Sequence, residues 1–335
     1  MKKKNKSFSE TGKKIVCLRP KKDFEEFQAE APSNFNVVYH SQNDDRLQSI
    51  LKDAKVLLIP AVGDKISNRL LSGSTVELIQ VTGAGIDRVD ASYCSRNNIR
   101  VCNVLGASAH AVAEYCIFAA ISLSRRLNES SHKIADGEYV PYRNQLISDR
   151  MYSIAGLTVG IVGFGSIGRK TAHLFHSMGC RVQYFDTVEP FVLSEKWSFA
   201  KKVDFKKLIK SSDIVSLHVP LIKATEDLIS FEELRSMKNS AVIINASRGG
   251  VVNEVALSEA ILNNSIKGAA TDVYTSEPPK AENPLLSLKK THPTNLILTP
   301  HIAGVTSQSW TELFKRSWRN IQSFFDGEEL ENQQI

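Results

Sequence analysis

No apolar run in this 335-residue chain approaches the ~20 residues that a membrane-crossing helix needs. The most apolar helical stretch, residues 112–123, is shorter and carries Glu114. No export signal is expected either: Met1 and the lysines behind it are followed at 5–14 by polar sequence, where an apolar stretch would have to stand. Cysteine is scarce and odd in number. No two of Cys17, Cys94, Cys102, Cys116 and Cys180 stand close enough for a zinc or redox motif, so we expect core-filling thiols, no metal and a reducing cytoplasm. Excess charge is small. Lys and Arg number 42 against 36 Asp and Glu, giving +6, and six lysines against Glu10 within residues 1–14 supply five of those six charges. The remaining body lacks the basic stripe of a nucleic-acid-binding face, and the Lys-rich start reads as a solvated tail. Solenoid-length repeats are absent.

At ~100–200 residues per domain the length suggests two domains, and 42% apolar residues are enough to give each a core. Short β-rich runs alternate with helical patterns, the signature of α/β architecture with parallel sheets. Five runs form a first series, at 14–18, 36–39, 56–59, 78–81 and 100–103. Six form a second, at 158–162, 181–185, 214–219, 241–246, 268–273 and 295–299. Between them, 108–126 has helical spacing and a candidate N-cap in Ser108, and 127–155 is polar with mixed signals, expected to be a connecting arm. Near the end, Trp310, Leu313, Phe314, Trp318, Ile321, Phe324 and Phe325 recur every three or four residues. That helix must pack on something substantial, and we expect it to return to the first domain, making that domain discontinuous.

The strand at 158–162 runs into Gly163-Phe164-Gly165-Ser166-Ile167-Gly168 and then into a helical pattern. This is the dinucleotide fingerprint in its required setting: one glycine for the tight turn, one for close approach of the pyrophosphate, one for helix-to-strand packing. The next strand ends in Asp186, where a carboxylate suits a ribose 2′-hydroxyl and repels a 2′-phosphate, so NAD is expected over NADP.

Ligands of open parallel sheets sit outside the carboxyl ends of the strands, so the residues there belong together. The later strands lead to Arg248, to Asp272 and Glu277, and to His301. Each alone has a bland explanation; jointly, beside a cofactor turn, they suggest hydride-transfer chemistry. An imidazole with an ordinary pKa near ~6.5 suits proton exchange with a carbinol or carbonyl oxygen. A carboxylate beside it orients the ring and favours its protonated form, and a guanidinium can hold a carboxylate and polarise a neighbouring carbonyl. His301, Glu277 and Arg248 fit those roles. In the first domain, Thr82-Gly83-Ala84-Gly85 is a small-residue turn whose amides could form an anion nest.

From about Val56 to Phe325 the sequence resembles the D-isomer-specific 2-hydroxyacid dehydrogenases. The resemblance rests on Gly83-Ala84-Gly85-Ile86-Asp87, Val112-Ala113-Glu114, the glycine fingerprint with Asp186, and Leu217-His218-Val219-Pro220-Leu221. It continues through Asn245-Ala246-Ser247-Arg248-Gly249-Gly250, Thr271-Asp272-Val273-Tyr274 with Glu277-Pro278-Pro279, and Thr299-Pro300-His301-Ile302-Ala303-Gly304.

The resemblance implies two doubly wound parallel-sheet domains with a cleft between them: a flavodoxin-like substrate domain of residues 1–105 with 305–335, and a Rossmann NAD domain of 106–304. It also implies a homodimer built partly through the inserted domain's helix and arm. By position, Arg248, Glu277 and His301 match the catalytic set, and the turn with Gly83, Ala84 and Gly85 offers amides to the substrate carboxylate. Asp272 matches the residue that holds the nicotinamide amide. Val219, Pro220, Thr225, Ala246, Ser247 and Gly304 match positions along the cofactor cleft, and His218 is a further candidate there. Relatives that act on 3-phosphohydroxypyruvate commonly carry Arg where this chain has Val81, so a phosphorylated substrate is disfavoured unless another cation takes that place. The short stretch after the final helix leaves no expectation of a C-terminal regulatory domain. Asn253 stands where Asp is usual.

The expected function is cytoplasmic, NAD-dependent interconversion of a small 2-keto acid and its D-2-hydroxy acid. Two rivals stand beside it: a dehydrogenase of another small anion such as phosphite or formate, and an NAD-sensing binding protein. The substrate side chain stays open among glyoxylate, hydroxypyruvate, charged pyruvates and longer keto acids. Loops near 60–64 and 81–85, together with a partner subunit's arm or the segment after Gly304, are expected to line its pocket.

Overall fold

The computed structural model describes residues 13–188, 197–292 and 294–335. The Lys-rich start therefore lies, up to residue 12, outside the described residues. Lys14, counted with it above, belongs to the first strand, where its ammonium donates to Asp53 at 2.5 Å. The chain divides into two compact units, Met1–Ser108 with Val305–Ile335, and Ala109–Gly304.

In the first unit five parallel strands, β1 (Lys14–Cys17), β2 (Asn36–Tyr39), β3 (Val56–Pro60), β4 (Leu78–Thr82) and β5 (Arg100–Cys102), lie in the order β2-β1-β3-β4-β5. That is the flavodoxin-like order. Side chains alternate between two apolar faces, as continuous Val/Ile/Leu strands require when both sides are covered. Val16, Leu57, Ile59, Ile79 and Val101 face one core; Ile15, Leu58, Leu78 and Cys102 face another that contains Phe314, Trp318, Ile321 and Phe325. These aromatics belong to the Ser307–Asp326 helix, which is capped by the Thr306 side chain and ends at Gly327 in the left-handed region. Trp318 donates its indole N–H to the Ala29 carbonyl at 2.9 Å.

The second unit contains β6 (Thr158–Val162), β7 (Arg181–Phe185), β8 (Ala200–Lys202), β9 (Ile214–Leu217), β10 (Val242–Asn245), β11 (Gly268–Thr271) and β12 (Leu296–Leu298). All are parallel, ordered β12-β11-β10-β9-β6-β7-β8, and the order reverses at β6 as in a Rossmann sheet. Seven strands stand where six were expected. The extra one, β8, is a three-residue edge strand with two exposed lysines, too short and too charged for an apolar pattern. The stretch expected as an arm is largely helical, at Leu127–Ala135 and Tyr139–Ser148, set off by Arg126 and Gly137 with positive φ. All five cysteines are buried free thiols, and burial pushes Cys17 and Cys116 up to about 12. Among the described residues no helix is long and apolar enough to cross a membrane, and no cluster of three or more His, Cys, Asp or Glu could hold a metal.

Candidate active site

The glycine turn follows β6 directly. Gly163 has φ +90°, and a side chain there would meet the His218 carbonyl within 2.4 Å, so both backbone conformation and space demand glycine. A Cβ at Gly168 would lie 2.0 Å from the Gly163 carbonyl oxygen. Gly165 differs: an added Cβ would meet nothing within 4 Å, and its backbone is extended. That open space adjoins the first turn of the Ser166–Ser177 helix, whose amides have no partner within the helix. Asp186, just past β7, accepts from the Phe164 amide at 2.6 Å and the Val188 amide at 2.9 Å, which ties the turn to the next strand end. The turn, the bare helix start and the carboxylate fit a dinucleotide.

Other expected cofactor residues gather at the neighbouring strand ends. Thr225 donates to the Pro220 carbonyl at 2.6 Å and accepts from the Ile222 amide, closing the turn after His218 and Val219. Ser247 donates its amide and hydroxyl to Asn245 Oδ1, which holds the bend between Ala246 and Arg248. Burial pushes His218 down to about 3; its Nε2 pairs with Ser216 Oγ at 2.9 Å, and its buried Nδ1 has no partner among the described residues. It is thus a neutral ring at the end of β9.

Three loops then bring Arg248, Glu277 and His301 to one edge. Glu277 Oε2 lies 2.8 Å from His301 Nδ1, and Glu277 Oε1 accepts from the Tyr274 amide at 3.0 Å. Burial is the largest single influence on Glu277 and opposes its charge. The His301 hydrogen bond, the Tyr274 amide and the positive charges of His301 and Arg248 together outweigh it and hold the carboxyl below its ordinary value. Arg248 comes near because Gly249 packs on the Tyr274 carbonyl, where a Cβ would lie 1.8 Å from the oxygen.

His301 itself has φ +56°, a left-handed backbone that a residue with a Cβ adopts only under constraint. The constraint is Asp272, 1% exposed. Its carbonyl accepts from the His301 amide at 2.8 Å, and its carboxylate accepts from the Ile302 and Ala303 amides at 2.8 Å and from Thr299 Oγ1 at 2.6 Å. Because the Thr299 hydrogen is committed to Asp272, the Tyr115 hydroxyl donates to Thr299 at 2.7 Å. Tyr274 donates to the Thr299 carbonyl. The ring is left with Nε2 making no hydrogen bond among the described residues, on a side chain 32% exposed.

Asp272, expected only as a cofactor contact, is therefore also the anchor of the histidine loop. Tyr115, Tyr274 and Thr299, which support that loop, were not singled out as such from the sequence. Neither was Glu254, which accepts from the Thr275 amide and from Asn283 and so steadies the loop bearing Glu277. None carries a local signal, since their partners are 21 to 184 residues away. Asn253 caps the Glu254–Leu262 helix through the Ala256 amide, a task Asn performs as well as Asp.

In the first unit, the turn after β4 is fixed through its carbonyls. The Val104 amide donates to the Gly83 carbonyl at 2.9 Å and Asn103 Nδ2 to the Ala84 carbonyl at 2.6 Å. The Ala84 and Gly85 amides have no acceptor among the described residues. Val81 is buried in the apolar core and presents no charge.

Comparison with known proteins agrees with this geometry. A family model described as D-isomer specific 2-hydroxyacid dehydrogenase, NAD binding domain, matches residues 117–303. A glyoxylate reductase of Thermococcus litoralis is 33% identical over 81% of this chain and 81% of its own length. A hydroxypyruvate reductase of Thermotoga maritima is 30% identical over 79% and 83%. Among solved structures, an NAD-dependent formate dehydrogenase from Staphylococcus aureus in complex with NAD superposes with a TM-score of 0.80 at 25% identity, covering 96% of this chain and 98% of that one. The chain belongs to the D-isomer-specific 2-hydroxyacid dehydrogenases, which use NAD.

Proposed function

We propose that the protein reduces a small, unphosphorylated 2-keto acid to the D-2-hydroxy acid, with His301 as proton donor. The observation that carries this is the His301 Nδ1 to Glu277 Oε2 contact at 2.8 Å on a loop locked by Asp272. With Nδ1–H donating to the carboxylate, Nε2 holds the proton to be passed to the substrate oxygen. The reduced nicotinamide, when bound, supplies the hydride. Glu277 keeps the ring oriented and its charge balanced; Arg248 binds the substrate carboxylate and polarises the carbonyl. The amides of Ala84 and Gly85 take the carboxylate as a nest.

Gly163, Gly165, Ser166, Ile167 and Gly168 would hold the pyrophosphate and Asp186 the ribose, and the His218–Thr225 segment, Ala246, Ser247, Asp272 and Gly304 would border the remainder. The absence of a cation at Val81 supports an unphosphorylated substrate. We also propose a homodimer formed through the helices of residues 109–148, whose exposed apolar side chains a second copy would cover.

The test is NADH oxidation across a panel of 2-keto acids, with NADPH alongside and His301→Ala as control. Turnover by the variant should fall by about 10²-fold or more with NADH binding retained. Equal loss of both would show that His301 supports the fold or the cofactor site, and not proton transfer.

A further inference from the structure

The segment of residues 60–64 leaves the end of β3 beside the turn at residues 83–85, because Pro60 pairs with Thr82 in the sheet. The two are in direct contact. A Cβ built on Gly83 would lie 2.5 Å from the Ala61 Cβ, so the approach is possible only with glycine at 83. Gly63, with φ +124°, gives the segment a bend that other residues rarely adopt.

What holds this bend is Arg88, a residue only 5% exposed. Nη1 donates to the Pro60 carbonyl at 2.7 Å and Nε to the Asp64 carbonyl at 2.8 Å, so one side chain grips both ends of the segment. Nη2 donates to Gln42 Oε1, and the Gln42 amide in turn donates to the Asp64 and Lys65 carbonyls. The Arg88 carbonyl accepts from the Ile66 amide. No carboxylate among the described residues lies within ion-pair distance of this cation.

A buried cation without an ion pair is costly, and an apolar side chain would fill the space more cheaply. Burial accordingly pushes the Arg88 pKa down, with the charge of Asp64 opposing. Several carbonyls splayed around one point, however, need a rigid multi-donor fork, which only Arg supplies. With the Pro60 and Asp64 carbonyls turned toward Arg88, the peptide N–H groups that follow them face the other way. The amides of Val62 and Gly63 have no acceptor among the described residues.

We propose that Arg88 is a positioning residue for substrate binding, which clamps residues 60–64 against the turn at Gly83 and so sets the width and donor pattern of the nest edge. The proposal rests on the reading that the Ala84 and Gly85 amides take the substrate carboxylate.

Glyoxylate, the smallest 2-keto acid, and its methyl ester are the probes. Wild-type enzyme should reject the ester; equal use of both would remove the nest reading and leave Arg88 without a site to position. Given that discrimination, Arg88→Met should raise the glyoxylate KM about tenfold or more with kcat nearly unchanged, the signature of lost uniform binding. NADH affinity should stay at the wild-type value. Arg88→Lys, which keeps the charge but not the fork, should recover only part of the loss. Gln42→Met, which removes one partner and leaves the guanidinium, should raise KM by about threefold, the scale of one hydrogen bond. Should Arg88→Met fail to fold, Arg88→Lys and Gln42→Met decide. Wild-type KM in the folded variants, or NADH affinity falling in step with KM, overturns the proposal.

Discussion

In the proposed reaction the chemistry depends on which proton sits on which nitrogen of His301, and the Glu277 contact bears on that. A carboxylate 2.8 Å from Nδ1 fixes the tautomer and pairs with the ring when it is charged. Its carboxyl is held below the ordinary range, so it remains an anion on the acid side of neutrality. For a depressed carboxyl the sign follows directly: its contribution to stability is present above the unfolded value and is lost as pH falls through the lowered folded one. Glu277→Gln removes this anion while preserving shape. Keto-acid reduction should then weaken at neutral pH, with kcat falling by about tenfold or more while NADH affinity stays at the wild-type value, because the ring has lost the anion that orients it. An unchanged kcat would mean that Glu277 only shapes the loop. The three residues of this set could be read from sequence because each sits just past a strand. Their anchors could not: Asp272, Thr299 and Tyr115 act through hydrogen bonds spanning up to 184 residues, and nothing in their neighbours announces it.

At the scale of elements, the strands were legible where both faces are buried, because a parallel sheet covered on both sides must read as continuous apolar runs. β3 and β4 are of this kind, and β6 with its glycines also announces the helix that follows. β8 escaped since only Ala200 of its three residues is buried. The glycine turn permits a sharper test than its pattern alone. Gly163 and Gly168 are demanded by protein atoms, so substituting them would confound folding with binding. Gly165 is not: its φ of −71° suits alanine, and the added methyl touches nothing within 4 Å. Gly165→Ala should therefore leave the melting temperature within about a degree of wild type, as surface changes of small energy do. NADH binding, read by fluorescence titration, should still weaken by about tenfold or more, because the pyrophosphate needs close backbone approach there. Undiminished affinity in the stable variant would place the phosphates elsewhere.

For the molecule as a whole, the least self-sufficient part is the helical stretch after Arg125. The Leu127–Ala135 helix buries none of its residues and Tyr139–Ser148 buries only Tyr142. Isolated helices of this length are marginal in water, and tertiary packing of an apolar face normally stabilises them. The apolar groups are there but uncovered: Phe118, Leu127, Ile134, Tyr139, Val140 and Ile147 are all exposed, Val140 by 62%. Such concentration on three consecutive helices is what an interface between copies leaves on a single chain, and a second copy supplies a matching face by symmetry. Wild-type protein should therefore run in light scattering at twice 37.2 kDa. Ile134→Asp combined with Val140→Asp should shift it to the single-chain mass and lower helical ellipticity. The sheets and the glycine turn lie outside this face, so NADH should still bind. A wild-type particle of single-chain mass at micromolar concentration would show that these helices stand without a partner.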